Sequence, residues 1–280
     1  MGTGQDVLAG RVAVVTGSSR GLGFAMAGLL GRHGASVVLA SRSDADVATA
    51  VQRVRAEGVE ASGLRCDMGE LADVEALREE ALAHGMLDIW VNNAGASGVF
   101  GPTASTPVED FARVVRTNIL GTFHGSRVAL PVFLGQGHGD LVNVYGQGDR
   151  GPVALQNAYA SSKRWVRQFT ETLRAETKGT GVRVHGMNPG LVITDLLGSV
   201  TSQPGYQHRL HGLQVVVGLW GQTPEAAAGP LLRLVTSDAG EFRDLTAATL
   251  VGRGIRNVLA GRLRRRNLMP MNVTVLDAHR

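Results

Sequence analysis

Tyr159 and Lys163 stand four residues apart in a stretch, 157–178, whose pattern predicts a helix. Residues at that spacing share one helix face, so both side chains point into one site. An ammonium beside a phenol favours the phenolate and draws its pKa toward the working range. Such a phenol gives a proton to a carbonyl during reduction, or takes one from an alcohol during oxidation. A second constellation lies near the N-terminus, in Thr16-Gly17-Ser18-Ser19-Arg20-Gly21-Leu22-Gly23. Glycines there permit a tight turn and let backbone N–H groups approach a pyrophosphate at the positive end of a helix. The spacing is G-x-x-x-G-x-G, not the commoner G-x-G-x-x-G.

Both constellations need elements that bring a turn and a helix face to one edge. Short apolar runs alternate with longer amphipathic stretches along the chain. The runs include Val12-Ala13-Val14-Val15, Val37-Val38-Leu39-Ala40, 87–91, 141–144 and 182–185. Apolar runs of four or five without polar alternation suit strands buried on both faces. Helical stretches are predicted over 21–33, 44–57, 70–84, 107–134 and 157–178. Strand-helix-strand repetition implies an α/β fold with a doubly wound parallel sheet in one domain spanning residues 1–280. The glycine turn then falls between the first strand and the first helix. Further on, a helix is expected from Pro224, capped by Thr223, to about Thr236. Residues 247–251 read as a last strand. The segment 194–222 reads as a mobile substrate loop, and about 253–280 as an atypical Arg-rich tail containing Arg262–Arg266.

Composition narrows the function classes. The chain has 280 residues, 44% hydrophobic and 19% charged, which argues against disorder. No run approaches the length of a membrane span, and the N-terminus lacks the plan of a signal peptide, so a cytoplasmic protein is expected. Cys66 is the single cysteine, which excludes an intrachain disulfide and a Cys-cluster metal site. His208 and His211 lack a third ligand, so no metal is expected. The net charge is +4, and Lys163 and Lys178 are the only lysines. An aromatic content of 5% makes stacking on nucleic acid an unsuited role for the arginines.

Together with the glycine turn, three further motifs resemble the short-chain dehydrogenase/reductase family. Asn92-Asn93-Ala94-Gly95 follows the fourth strand, Tyr159-Ala160-Ser161-Ser162-Lys163 matches Tyr-x-x-x-Lys, and Pro189-Gly190 precedes Thr194. The resemblance spans about residues 8–197 and implies a Rossmann-type fold. It assigns Asn93, Ala94, Gly95, Pro189, Gly190 and Thr194 to the cofactor, and Asp67 to the adenine edge. By the same resemblance Lys163 also holds the nicotinamide ribose, and Asn118 shapes a water relay behind it. The family usually carries Ser-Ser after the Asn-x of the fifth strand, the second Ser polarising the substrate carbonyl. Counting from Asn143, those positions hold Tyr145 and Gly146. A backbone N–H, Gln147 or the Tyr145 hydroxyl is then needed as a substitute donor. The Gly-x-Gly run and residues 188–197 are similar to the chlorophyll b reductase branch.

The cofactor can be argued physically. An NAD site needs a carboxylate at the end of the second strand. Here that strand ends in Ser41-Arg42, and Arg20 is a second cation able to face the same phosphate, so NADP(H) is expected. The reading is an NADP(H)-dependent oxidoreductase acting on a carbonyl or secondary alcohol of a small molecule. Its rivals are a cofactor-retaining isomerase, epimerase or cyclase, and a non-catalytic NADP(H) sensor. A homodimer or homotetramer is expected, because members of the resembled family pair the helices 107–134 and 157–178. Phe111, Val115, Trp165, Phe169 and Leu173 would supply the apolar surface.

Overall fold

Strands Val12–Thr16 (β1), Leu87–Asn92 (β4) and Gly139–Val144 (β5) are buried at every position. Helices on both faces of the sheet account for their unbroken apolar runs. The computed structural model describes residues 6–260 and 272–276. Ser36–Ser41 (β2), Ala61–Arg65 (β3), Val182–Asn188 (β6) and Glu241–Arg243 (β8) complete the sheet. Its order is β3-β2-β1-β4-β5-β6-β8, with every pairing parallel. Strand order reverses between β1 and β4, and in such sheets ligands bind in the crevice at that switch point.

Helices Gly21–Arg32 (α1) and Asp44–Ala56 (α2) pack one face through Met26, Leu30, Val47 and Val54. Leu71–Leu82 (α3) and the helices after β4 and β5 cover the other, around Leu77, Trp90 and Phe133. The stretch expected as one helix after β4 divides into Val108–Val114 (α4), a π-helical segment Val115–Leu120, and Gly121–Gln136 (α5). Wide turns of this kind concentrate at functional sites, and this one carries Asn118. Asn157–Glu176 (α6) matches its expectation.

A buried polar chain fixes these helices to the strands. Trp90 Nε1 donates to Asn92 Oδ1 at 2.8 Å. Asn92 Nδ2 donates to Ser126 at 3.2 Å and to Asn143 at 2.9 Å, and Asn143 Nδ2 donates to Thr170 at 2.9 Å. Each bond contributes about 1 kcal/mol net, and far more is lost if one partner is removed and the other stays buried. The chain sets α5 and α6 against β4 and β5, which positions the face carrying Tyr159.

Three expectations are corrected. Residues 247–251 begin a helix, Ala247–Leu259 (α11), because Thr246 and Thr249 form a reciprocal cap at its start. The edge strand is β8 instead. The helix from Pro224 is interrupted: Pro224–Ala228 and Pro230–Thr236 (α9 and α10) are separated at Gly229-Pro230, since Pro230 has no N–H to continue the ladder. Segment 194–222 holds regular structure: Asp195–Gly198 (α7), Ser199–Ser202 (β7) and Leu213–Trp220 (α8). Strand β7 pairs in parallel with Asn272–Val275 (β9). The run Arg262–Arg266 lies outside the described residues. Among the described residues no helix is long and apolar enough to cross a membrane, and no metal-binding cluster occurs.

Candidate active site

The turn after β1 is built by close approach. Gly17 has φ +63°, and a Cβ there would lie 2.8 Å from Ala94 Cα. A Cβ at Gly23 would crowd Asn93 Nδ2 at 2.5 Å. Without one, Asn93 Nδ2 donates to Thr16 O at 2.9 Å and Gly17 O at 3.2 Å. Thr16 Oγ1 accepts from the N–H groups of Asn93 and Ala94, both at 3.0 Å. The Asn93-Ala94-Gly95 segment is thereby locked beside the glycine turn. Helix α1 begins at Gly21 with no side-chain cap and no acidic residue in its first turn. Its free N–H groups and positive dipole end face open space, a donor set that suits a pyrophosphate.

A cavity of about 870 Å³ runs from this turn to Tyr159. Of the expected cofactor residues, Gly17, Ser19, Arg20, Gly21, Leu22, Gly23, Ser41, Arg42 and Asp67 line it. Asn93, Ala94, Gly95, Pro189, Gly190, Thr194, Gly146, Tyr159 and Lys163 line it as well, with Gly21 close to Thr194 and Gly95 close to Lys163 Nζ. These residues fit a dinucleotide in length and in donor chemistry. Arg20 also lies 3.5 Å from Asp195, with both side chains exposed.

Asn118 stands behind this wall, buried at 1% exposure. Its Oδ1 accepts from Ala96 N at 2.8 Å, and its Nδ2 donates to Ala96 O at 3.1 Å and Ser162 Oγ at 2.9 Å. It therefore clamps the segment after Gly95 to α6. Lys163 Nζ donates to Val144 O at 3.0 Å, which leaves donor capacity facing the cavity.

The expectation that Lys163 pulls the Tyr159 phenol down is not met. Burial first, and then the charge of Asp149, push the phenol up to about 12. Burial also draws the Lys163 ammonium down to about 8, opposed by Asp149. With no cofactor bound, the phenol holds its proton at neutral pH.

Gly146 abuts this phenol. A Cβ on Gly146 would overlap the Tyr159 hydroxyl and approach Lys163 Cγ to 3.3 Å. The backbone there is not left-handed. Contact with Tyr159 is therefore what a side chain at this position would violate. Tyr145 is corrected as a substitute donor. Tyr145 lines the cavity, but its hydroxyl end packs against Gly186 and toward Thr170, with its ring under Arg167. Gln147 remains on the cavity wall. Sequence reasoning missed Asp149, whose one signal was an acidic residue just after a glycine-rich loop.

The fold is of the doubly wound α/β class, with the cavity at the carboxyl ends of its strands. The short chain dehydrogenase family matches residues 11–205, and the chain belongs to that family. It is 39% identical over 202 residues to the chloroplastic chlorophyll(ide) b reductase NOL of Arabidopsis thaliana, covering 68% of this chain and 58% of that protein. A gluconate 5-dehydrogenase from Burkholderia cenocepacia, solved with NADP and tartrate, superposes with a TM-score of 0.75 at 26% identity, covering 88% of this chain and 98% of that one. A 3-ketoacyl-(acyl-carrier-protein) reductase from Brucella melitensis, complexed with NADH, gives 0.75 at 26%, covering 87% and 99%. The chain is thus a dehydrogenase/reductase enzyme whose solved neighbours bind nicotinamide cofactors.

Proposed function

We propose that the protein transfers hydride between NADP(H) and a carbonyl or secondary alcohol of a small molecule, with Tyr159 as the proton donor or acceptor. The observation that carries this reading is the cavity itself, in which the capless start of α1 and the Tyr159–Lys163 pair share one continuous wall. The glycine turn and α1 would hold the pyrophosphate. Ser41 and Arg42 would meet the ribose phosphate, with no carboxylate at the end of β2 to repel it. Lys163 would hold the nicotinamide ribose through its remaining donors. The bound cofactor supplies the hydride and its acceptor form.

The chain's own residues supply the proton. A phenol pushed up to about 12 is fully protonated at neutral pH, so the resting site is poised to donate to a developing alkoxide. Asn118 fixes the helix that bears Tyr159, and Gly146 leaves the space its hydroxyl occupies. Gln147 and the loop N–H groups are the available partners for the substrate oxygen. The surrounding wall, with Phe100, Leu191, Ile193 and Leu197, would take an apolar substrate body.

The test is a carbonyl panel followed by nicotinamide absorbance, with NADPH and NADH, in wild type and Tyr159→Phe. Turnover should fall about 10²-fold or more in the variant while NADPH still binds. Product formation by Tyr159→Phe at the wild-type rate, without net cofactor consumption, would replace this reading with a cofactor-retaining isomerase, epimerase or cyclase.

A further inference from the structure

A buried carboxylate lies behind the loop that carries Gly146. Asp149 is 3% exposed and does not line the cavity. Its backbone N–H donates to Gly146 O at 3.3 Å, closing the turn. Its Oδ2 accepts from Asn188 Nδ2 at 3.2 Å and from Arg243 Nη2, with Arg167 Nη1 at 3.8 Å. Its carbonyl accepts from Arg164 Nη1 at 3.2 Å. Asn188 Nδ2 also donates to Gly146 O at 3.3 Å, and its Oδ1 accepts from Gly190 N at 3.0 Å. One carboxylate thus ties the Gly146 loop to α6, β6 and β8, and through Asn188 to the Pro189-Gly190 turn.

An ionised carboxylate persists in the interior only when partners hold it. The charged groups packed around Asp149 come from two elements, α6 and β8, and from the loop itself. Arg167 on α6 is shared with Glu171 at 3.1 Å and Glu241 at 2.8 Å, and Arg150 of the loop also pairs with Glu241 at 3.2 Å. Arg243 on β8 pairs with Asp149, while its Nε has no partner among the described residues. On the cavity side stand Tyr159 and Lys163.

We infer that Asp149 is a positioning residue for Tyr159, pinning the Gly146 loop against the phenol. The inference rests on Tyr159 being the proton-transfer residue proposed above. The negative charge of Asp149 acts to raise both the Tyr159 phenol and the Lys163 ammonium.

The experiment is a near-ultraviolet tyrosinate titration of the full chain without cofactor. Tyr145, Tyr159 and Tyr206 are the only tyrosines, so subtracting Tyr159→Phe isolates the Tyr159 step. Asp149→Asn and Asp149→Ser should both lower that step by about half a pH unit or more, and Asp149→Glu should leave it in place. A residue that only braced the loop would lower thermal stability without moving the step. Should neither charge-removing variant fold, Arg243→Gln gives the reading, since an un-neutralised Asp149 moves the step upward. An unmoved step in the variants that fold overturns the inference. NADPH binding is measured alongside: its absence in wild type counts against the proposed reaction, while the titration still decides the role of Asp149.

Discussion

Gly146 and Tyr159 meet so closely that a Cβ on one would overlap the hydroxyl of the other. The glycine is therefore a condition for where the phenol sits. Gly146→Ala should displace Tyr159 and lower turnover by about 10-fold or more, on the scale of a misplaced reacting group. Gly146→Ser adds a hydroxyl but brings the same Cβ, so it should lose activity as well. NADPH affinity, read by fluorescence titration, should stay near wild type in both. Undiminished turnover in Gly146→Ala would show that the phenol has room to spare.

Arg42 lines the cavity beside Ser41, where the proposed NADP(H) would carry its ribose phosphate. Arg42→Ala should weaken NADPH by about 1.5–3 kcal/mol, or one to two decades, and leave NADH nearly unchanged. Calorimetric titration of both cofactors checks this. Equal loss for both would remove the phosphate from the argument.

The Lys163 ammonium, drawn down to about 8 by burial, gives the cofactor-free protein a pH signature. Its pKa is lower folded than unfolded, so between about 8 and 10.5 the unfolded chain binds more protons. Stability from this group therefore rises with pH across that window and is lowest below it. Lys163→Met should be more stable than wild type at pH 7, with the gap closing toward pH 10. Melting temperatures of the two proteins across the window decide it. A gap independent of pH would mean that the ammonium is not buried as charge.

The outer faces of α4 to α6 leave Phe111, Leu120 and Phe123 each 41% exposed. Trp165 stacks on Phe169 at 4.7 Å, and Phe123 tilts against Phe169 at 6.2 Å, which makes one aromatic patch. Leu173, expected in that patch, is instead buried in the core at 4% exposure. Patches of this kind mark association, so a homodimer or tetramer is expected. Light scattering should return at least twice the chain mass, and Phe123→Asp should lower it. A monomer at micromolar concentration would oppose this.

The sheet was legible because both its faces are covered, so its strands read as plain apolar runs. The cavity wall was legible because many of its residues sit in short contiguous motifs, from Thr16–Gly23 to Tyr159–Lys163. Where competing local signals met, the sequence misled. Ala247–Val251 has strand-like residues, but a cap made by Thr246 and Thr249 decides for helix. The rise in the Tyr159 pKa was hidden because it arises from burial and from Asp149, ten residues away, and neither is a property of the helix. Asp149 itself had no motif to announce it. Its partners Asn188 and Arg243 are adjacent only once β6 and β8 are side by side.

The pairing of β7 with β9 has a consequence for how the protein is made. Val200 lies on the cavity wall, and its strand is completed by Val273, far downstream in the chain. Domains begin folding as the nascent chain emerges from the ribosome, N-terminal part first. The glycine turn and the Asn93-Ala94-Gly95 segment are synthesised early, while Pro189, Gly190 and Thr194 of the same cavity follow only after β6. The strand that carries Val200 gains its partner only when translation has passed residue 275, so this part of the cavity wall is the last to be completed.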